Sequence, residues 1–325
     1  MDNINILPKN RLTTFLFQQG GISNGIRIPV LSFLILVFSL MGCSSKETYL
    51  NKADSLRIDS LIRVVEINDR TILVKFGYDV VTAIETSEGT VVVDAGISTS
   101  LTARYKRLIE KKFGQKNFLC VINSHGHHDH IRGNGIFESA QIVGHTNCRY
   151  DAPDPGINKD TLLRRSARII NDYDRQLQQS DPHTKEWEDN FTQKIRYSGS
   201  YLDIKRNTPL KLPDVTFPDS MNLKCGDTTF ELIHFGKFHS NSDILIYVPE
   251  ISTLFVGDLF SKYGRPGRTI SSDADADKWI RAVRWIGNRT DNIQTVIDGH
   301  GQVLSTDDLK MFTDYIASES AEREK

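Results

Sequence analysis

Six consecutive positions, His125 to His130, hold four of the chain's nine histidines and one aspartate. In His125-Gly126-His127 the two imidazoles are two residues apart, and an extended segment projects both to the same side. Asp129 and His130 are neighbours, so they project differently and suit a second metal ion better than the first. The spacing is HxHxDH, unlike the helical HExxH pattern, whose histidines sit four apart on one face. A catalytic zinc ion takes three protein ligands and keeps one position open. The run therefore needs partners from farther along the chain.

Three such partners follow strand-like runs. His239 lies in Phe235-Gly-Lys-Phe-His-Ser240, Asp258 in Val256-Gly-Asp-Leu-Phe260, and His300 in Asp298-Gly-His-Gly301. Loops that leave a rigid sheet are good places from which to present ligands. The elements behind them read as short β runs at 61–67, 71–76, 80–86 and 90–94, a helix over 101–113, and strands at 118–123 and 141–144. Residues 155–205 change character: they are charged, poor in strand signals, and include an amphipathic pattern from Thr161 to about Leu177. The β pattern resumes at Val215 with runs at 222–224, 229–235, 244–249 and 253–256. A helix over 274–286, a strand at 295–297 and a closing helix over 306–317 complete the chain. Strand-rich halves separated by helices predict packed sheets with helices outside.

In this order, HxHxDH at 125–130, Gly236-Lys-Phe-His-Ser240, Leu254-Phe-Val-Gly-Asp-Leu259 and Asp298-Gly-His-Gly301 resemble the metallo-β-lactamase superfamily. The likeness extends to Val91-Val-Val-Asp-Ala-Gly96 and the Trp279 helix, and so covers roughly residues 60–305 apart from the 155–205 segment. It implies an α/β fold, an αββα sandwich of two mixed β-sheets with external helices. It also implies that His125, His127 and His239 hold one metal, that Asp129, His130 and His300 hold a second, and that Asp258 bridges them. The expected cofactors are two zinc ions, with iron or manganese as other divalent possibilities. Asp94 alone reads as a strand-end cap, whereas the resemblance makes it an acceptor that orients a ligand imidazole. Ser240 stands where threonine is common and Asp298 where proline is common; neither replaces a ligand.

Two metals close together lower the pKa of a shared water to about 7, so the expected chemistry is hydrolysis by a metal-bridging hydroxide that Asp129 helps to orient. The expected bond is an ester, thioester, lactone, amide or phosphodiester of a small molecule. The best-known β-lactamases of the superfamily carry cysteine or serine at the Asp258 position, while thioesterase-, lactonase-, phosphodiesterase- and alkylsulfatase-like members use a bridging aspartate. A periplasmic β-lactamase remains the alternative. An iron-dependent dioxygenase and a non-catalytic zinc-binding lipoprotein are further readings. No GxSxG elbow offers a protein nucleophile. Lys262, Arg265 and Arg268 follow Asp258 and either bind an anionic substrate group or form a solvated loop. The 155–205 insertion is either a lid over the metals or a surface excursion, and its Tyr173, Trp187 and Phe191 are candidate walls of an apolar pocket. His128 and His234 read as structural, His145 with Cys148 lacks further metal partners, and His183 reads as solvated.

The N-terminus has its own logic. Lys9, Arg11 and Arg27 precede the apolar run of residues 28–41, which is shorter than the roughly 20 residues a membrane span needs. It fits the core of an export signal, and Leu40-Met-Gly-Cys43 resembles a bacterial lipobox with Cys43 as the lipidation site. The expected organisation is a signal over 1–43, a polar tether over 44–58 and one domain over 59–325. The expected location is a membrane, reached through a lipid anchor, with the domain facing the periplasm or the cell surface. After Cys43, three cysteines remain, at most one disulfide's worth. A net charge of −1 over 325 residues gives no electrostatic case for nucleic acid, so the expected partner is a small-molecule substrate.

Overall fold

The computed structural model describes residues 3–5, 52–152, 159–260, 274–305, 307–312 and 314–315. Cys43 and the apolar run before it lie outside the described residues, as do Lys262, Arg265 and Arg268.

In chain order the strands are β1 (Asn3–Asn5), β2 (Arg63–Asn68), β3 (Thr71–Phe76), β4 (Asp79–Thr86), β5 (Gly89–Val93), β6 (Phe118–Ile122), β7 (Gln141–His145), β8 (Val215–Phe217), β9 (Ser220–Cys225), β10 (Thr228–Ile233), β11 (Leu245–Val248), β12 (Thr253–Gly257), β13 (Thr295–Asp298) and β14 (Val303–Leu304). The helices are α1 (Lys52–Leu61), α2 (Thr99–Phe113), α3 (His128–Ile131), α4 (Cys148–Asp151), α5 (Lys159–Gln179), α6 (Lys185–Lys205) and α7 (Ala276–Gly287). Helical turns also occur at 307–312 and 314–315, within the expected closing helix.

Strands β2 to β8 form one sheet in sequence order, antiparallel as far as β5 and parallel from there to β8. Strands β9 to β14 form the second, with β1 on its edge; β12 and β13 run parallel, and β9 to β12 are antiparallel. Alternation along the strands explains why two sheets need three apolar layers. Leu73 faces the other sheet, where it joins Val91, Val93, Leu223, Leu232 and Ile246. Ile72 and Val74 on either side of it face outward, against Leu101, Tyr105 and Ile109 of α2 and Phe191 and Ile195 of α6. On the far side, Leu245 and Leu254 meet Trp279 and Ile286 of α7. This is the αββα sandwich, with both sheets mixed.

Two elements differ from expectation. The second half of the anticipated tether is helix α1, because Ile58 is buried against the α2 layer and Arg57 stacks on Trp187. Residues 52–58 are therefore packed on the domain rather than strung out as a tether. The insertion is a helical hairpin of α5 and α6, of which the sequence pattern marked only the first helix.

Candidate metal centre

The strands deliver their residues to one edge of the sandwich. Asp94 follows β5, Ser124 to His130 follow β6, His239 lies in the turn between β10 and β11, Asp258 follows β12 and His300 follows β13. After β6 the chain bends at Ser124 and His125, is extended at His127 and then enters α3, so Asp129 and His130 lie on a helical turn. That change of backbone is what turns Asp129 and His130 away from His125 and His127. Gly299 lets the last loop come close: a Cβ there would collide with Asp258 Oδ1.

Seven side chains converge. His125 Nε2 and His239 Nε2 each lie 3.0 Å from His127 Nδ1. Nitrogens bound about 2.0–2.1 Å from a tetrahedral zinc ion stand about 3.3 Å apart, close to this arrangement. Asp129, His130 and His300 form a second group, and Asp258 lies between the two. Its Oδ2 is 3.6 Å from His239 Nε2 and 3.3 Å from His300 Nε2, and its Oδ1 is 3.5 Å from His130 Nε2. The structure thus brings together every residue the sequence placed at the two metals.

The supporting contacts fix which nitrogen faces inward. His130 Nδ1 donates to Asp94 Oδ2 over 2.9 Å. Ser124 Oγ donates to the same oxygen, and the Ser124 amide donates to Oδ1. Ser124 Oγ lies 3.1 Å from His125 Nδ1 and accepts its proton, leaving Nε2 bare. Asp94 holds a left-handed backbone (φ 59°), a conformation aspartate tolerates better than most residues. His300 Nδ1 donates to the Tyr78 carbonyl, and Lys75 Nζ donates to the Gly301 carbonyl, which ties this loop to the opposite sheet. Asp243 accepts the amides of Phe238, His239 and Ser240 and so shapes the His239 turn. Burial raises its carboxyl to about 6.

Electrostatics divide the two groups. Burial pushes His125 down and takes His127 to about 4, and neighbouring imidazoles act in the same direction. These rings are neutral and offer lone pairs. At the second group burial is outweighed: Asp258 and Asp94 hold His130 well above its usual range, and Asp258 brings His300 to about 9. Against the same burial penalty, His300 and His130 keep Asp258 well below the carboxylate range.

Whether the residues suit metal ions is decided by two atoms. His130 Nε2 and Asp258 Oδ1 are buried, face each other, and have no hydrogen-bond partner. Buried polar atoms are almost always paired, and a cation between these donors supplies what each lacks. The donor set fits metal binding: imidazole suits zinc and iron, carboxylate also suits manganese.

Other expected residues lie elsewhere. His145 stacks on His234 with ring centroids 3.8 Å apart, His145 donates to the Pro218 carbonyl and His234 to that of Asp243. His183 is exposed. Cys148 is buried and its thiol is pushed up to about 12. Trp187 and Phe191 stack on each other against the α2 layer and are not part of the cavity wall beside His127 and Asp129; Tyr173 does line a surface cavity with Tyr78. Arg132, Arg165 and Arg196 stand near the centre without having been singled out from sequence. The signal for Arg132 was in plain view, a cation two residues after His130.

Known proteins give the same picture. The chain is 25% identical over 220 residues to a type 2 metallo-beta-lactamase from Bacillus sp. (strain 170), covering 68% of this chain and 65% of that relative, just under two thirds of its length. The fold is shared with a metallo-beta-lactamase from Pontibacter korlensis at TM-score 0.52 and 16% identity, over 79% of this chain and 99% of the other. It is also shared with a stereoselective inverting sec-alkylsulfatase from Pseudomonas sp. at TM-score 0.55 and 16% identity, over 79% of this chain and 41% of that one. The family model of the metallo-beta-lactamase superfamily matches residues 75–294. With more than half of its length inside that match, this chain belongs to the metallo-beta-lactamase superfamily.

Proposed function

We propose that this chain is a hydrolase that works with two metal ions, zinc in the first instance, at the site built from His125, His127, His239, Asp129, His130, His300 and Asp258. The observation that carries this reading is the convergence of both triads on Asp258, with His130 Nε2 and Asp258 Oδ1 left unpartnered inside the fold. Metal ions held there supply a hydroxide at neutral pH and polarise the bond under attack.

The chain's own residues have separate tasks. Asp94 and Ser124 hold His130 and His125 in the tautomers that leave Nε2 facing the centre. The Tyr78 carbonyl does the same for His300. Asp129 lines the open cavity, placed to orient the attacking oxygen. In the overall change water adds across the scissile bond: the electrophilic atom gains the hydroxyl, and the leaving oxygen, sulfur or nitrogen gains the proton. The substrate class is an ester, thioester, lactone, amide or phosphodiester, with the β-lactam disfavoured because aspartate stands at position 258 where the best-known β-lactamases carry cysteine or serine. The named activity of the Bacillus relative favours a second reading, the cyclic amide of a β-lactam.

Export and lipidation at Cys43 complete the proposal and rest on the signal-like run alone. Metabolic labelling with a radioactive fatty acid tests this part: label retained in a Cys43→Ala variant rejects it.

The central experiment loads the protein with zinc, counts the metal by elemental analysis, and runs parallel assays on a chromogenic β-lactam, a thioester, a lactone and a phosphodiester. Turnover of any of them near the enzyme range, about 10⁴ M⁻¹s⁻¹ or more in kcat/KM, and its loss in Asp258→Ala, supports the hydrolase. Two bound metals with no turnover on any member of the panel counts against it, and turnover of the β-lactam alone selects the second reading.

A further inference from the structure

Beside the metal centre lies a cavity of about 440 Å³ whose inner wall includes His127 and Asp129. Its outer wall is the inserted hairpin, which presents Leu162 and Ile169 from α5 and Ile204 from α6. The insertion therefore covers one side of the approach to the metal centre with these three aliphatic side chains set among Ser166, Tyr197 and Ser200.

Two cations interrupt that surface, Arg132 and Arg165. Arg132 caps α3 directly after the metal-binding run, so its position relative to His130 is set by one turn of helix. It is only 6% exposed, its Nε is buried without a hydrogen-bond partner, and no carboxylate among the described residues forms an ion pair with it. Asp203 is the carboxylate whose charge Arg132 feels, short of an ion pair, and the carboxylates nearby are already engaged. Asp203 accepts from the amide and the hydroxyl of Thr99, and Asp151 accepts from Asn241 and Ser242. Arg165, on the exposed side of α5, has no ion pair with a described residue either.

A guanidinium taken out of water without a partner is costly, and folds rarely keep one unless something completes it. Its planar fork matches a group with two or more anionic oxygens, bound through paired hydrogen bonds. We propose that Arg132, aided by Arg165, is the oxyanion receptor of this cavity, and that the substrate is a small amphiphile whose carboxylate or sulfate sits on Arg132 while its apolar body lies against Leu162, Ile169 and Ile204. This assignment rests on the hydrolase reading for the scissile bond but not for the anion site. Arg132 is a specificity residue here: it decides which molecules present a bond to the metals.

The test uses the full chain loaded with zinc and compares wild type with Arg132→Gln, Arg132→Lys and Arg165→Gln. One arm measures hydrolysis of mono-4-nitrophenyl succinate, which is anionic, against 4-nitrophenyl butyrate, which is not. The expected result in Arg132→Gln is a fall of about tenfold or more in the ratio of their kcat/KM values, carried by KM for the anionic ester, with partial recovery in Arg132→Lys. The second arm measures binding of hexanoate, hexyl sulfate and hexanol by calorimetry and needs no turnover. Hexanoate and hexyl sulfate are expected to weaken about tenfold in Arg132→Gln and two- to threefold in Arg165→Gln, while hexanol, lacking the charge, binds poorly throughout. Stronger loss of hexanoate points to a carboxylate substrate and of hexyl sulfate to a sulfate one; both support the receptor.

An unchanged ester ratio, or hexanoate bound equally well without Arg132, overturns the proposal even if both esters are cleaved. Loss of anion binding in the variants, with neither ester cleaved by wild type, sustains the receptor and rejects a carboxylic ester as the scissile bond. If Arg132→Gln does not fold, Arg165→Gln and Arg132→Lys decide: wild-type affinity in both rejects the assignment.

Discussion

Arg196 of α6 reaches across to the metal centre, with its Nη2 lying 3.6 Å from Asp129 Oδ2. The same guanidinium places Nε 4.0 Å from Asp79 Oδ1, which also accepts the Ile97 amide, while Asp79 Oδ2 accepts the Tyr105 hydroxyl. The inserted hairpin is therefore wired to a carboxylate of the candidate metal centre and to the strand β4 beneath it. Arg196 is 5% exposed, and a buried cation beside two carboxylates is held strongly in place.

Replacing Arg196 by methionine should leave Asp129 without its positioning partner. A fall of about 10- to 100-fold in kcat or in affinity for the second metal is expected, the usual cost of losing a residue that orients a ligand. Steady-state kinetics with zinc counted in the same sample measures it. Full activity with two zinc ions bound in Arg196→Met would show that the arginine serves only the hairpin.

Asp94 offers a cleaner separation of the two metals. It holds His130 and reaches His125 only through Ser124. Asp94→Asn keeps the shape and tolerates the left-handed backbone, but it withdraws the charge. Zinc titration should show the second site weakened about 10- to 100-fold with the first little changed. Equal weakening of both sites would contradict the division drawn here.

Acid and base should each weaken the metal-free protein, through different histidines. His127 titrates near 4 in the fold and near 6.5 when unfolded, so the unfolded chain binds more protons between those values, and stability falls as pH drops from about 6.5 to about 4. His300 is raised to about 9, so its contribution is complete below about 6.5 and is lost as pH rises through about 9. Each effect is on the order of 3 kcal/mol, which puts the stability maximum near pH 6.5. Urea unfolding of zinc-free protein from pH 4 to 9 would reveal this dome; a monotonic profile would refute it.

Cys120 of β6 and Cys225 of β9 face each other across the two sheets, with sulfurs 3.9 Å apart. The hydrogen bond to Cys225 and burial raise the Cys120 thiol well above its usual value. Reactivity needs an accessible thiolate, so neither should react with a thiol reagent in the native protein, and both should react in denaturant. Rapid native labelling at either position, read by mass spectrometry, would disprove this packing.

Much of this was legible in the sequence. The run of residues 90–94 ending in aspartate could only be a buried strand with a polar end, and β5 and Asp94 follow from it. The seven metal-site residues were legible because each sits in a short motif directly after a strand. Helix α6 was not. Its buried face carries Asn190, Thr192, Arg196, Ser198, Ser200 and Asp203, polar residues that no hydrophobic period marks, because they serve the site and the neighbouring helix. Gly199 shows why: a Cβ there would press into the Ser98 side chain, so small residues were chosen for close approach rather than for helix propensity. The 52–58 stretch read as polar for a similar reason, since Ile58 alone anchors it in the core and Arg57 caps an aromatic pair that lies far away in sequence.

The two sheets are nearly two halves of the chain, with β2 to β8 spanning residues 63–217 and β9 to β14 spanning 220–304. The first half owns His125, His127, Asp129 and His130; the second owns His239, Asp258 and His300. Neither half can furnish either group of ligands alone, so a metal ion held there would be a rivet through both layers. Cut between β8 and β9, the two fragments would still meet through the apolar layer between the sheets, and ions bound at this edge would add a clasp that a chelator could undo.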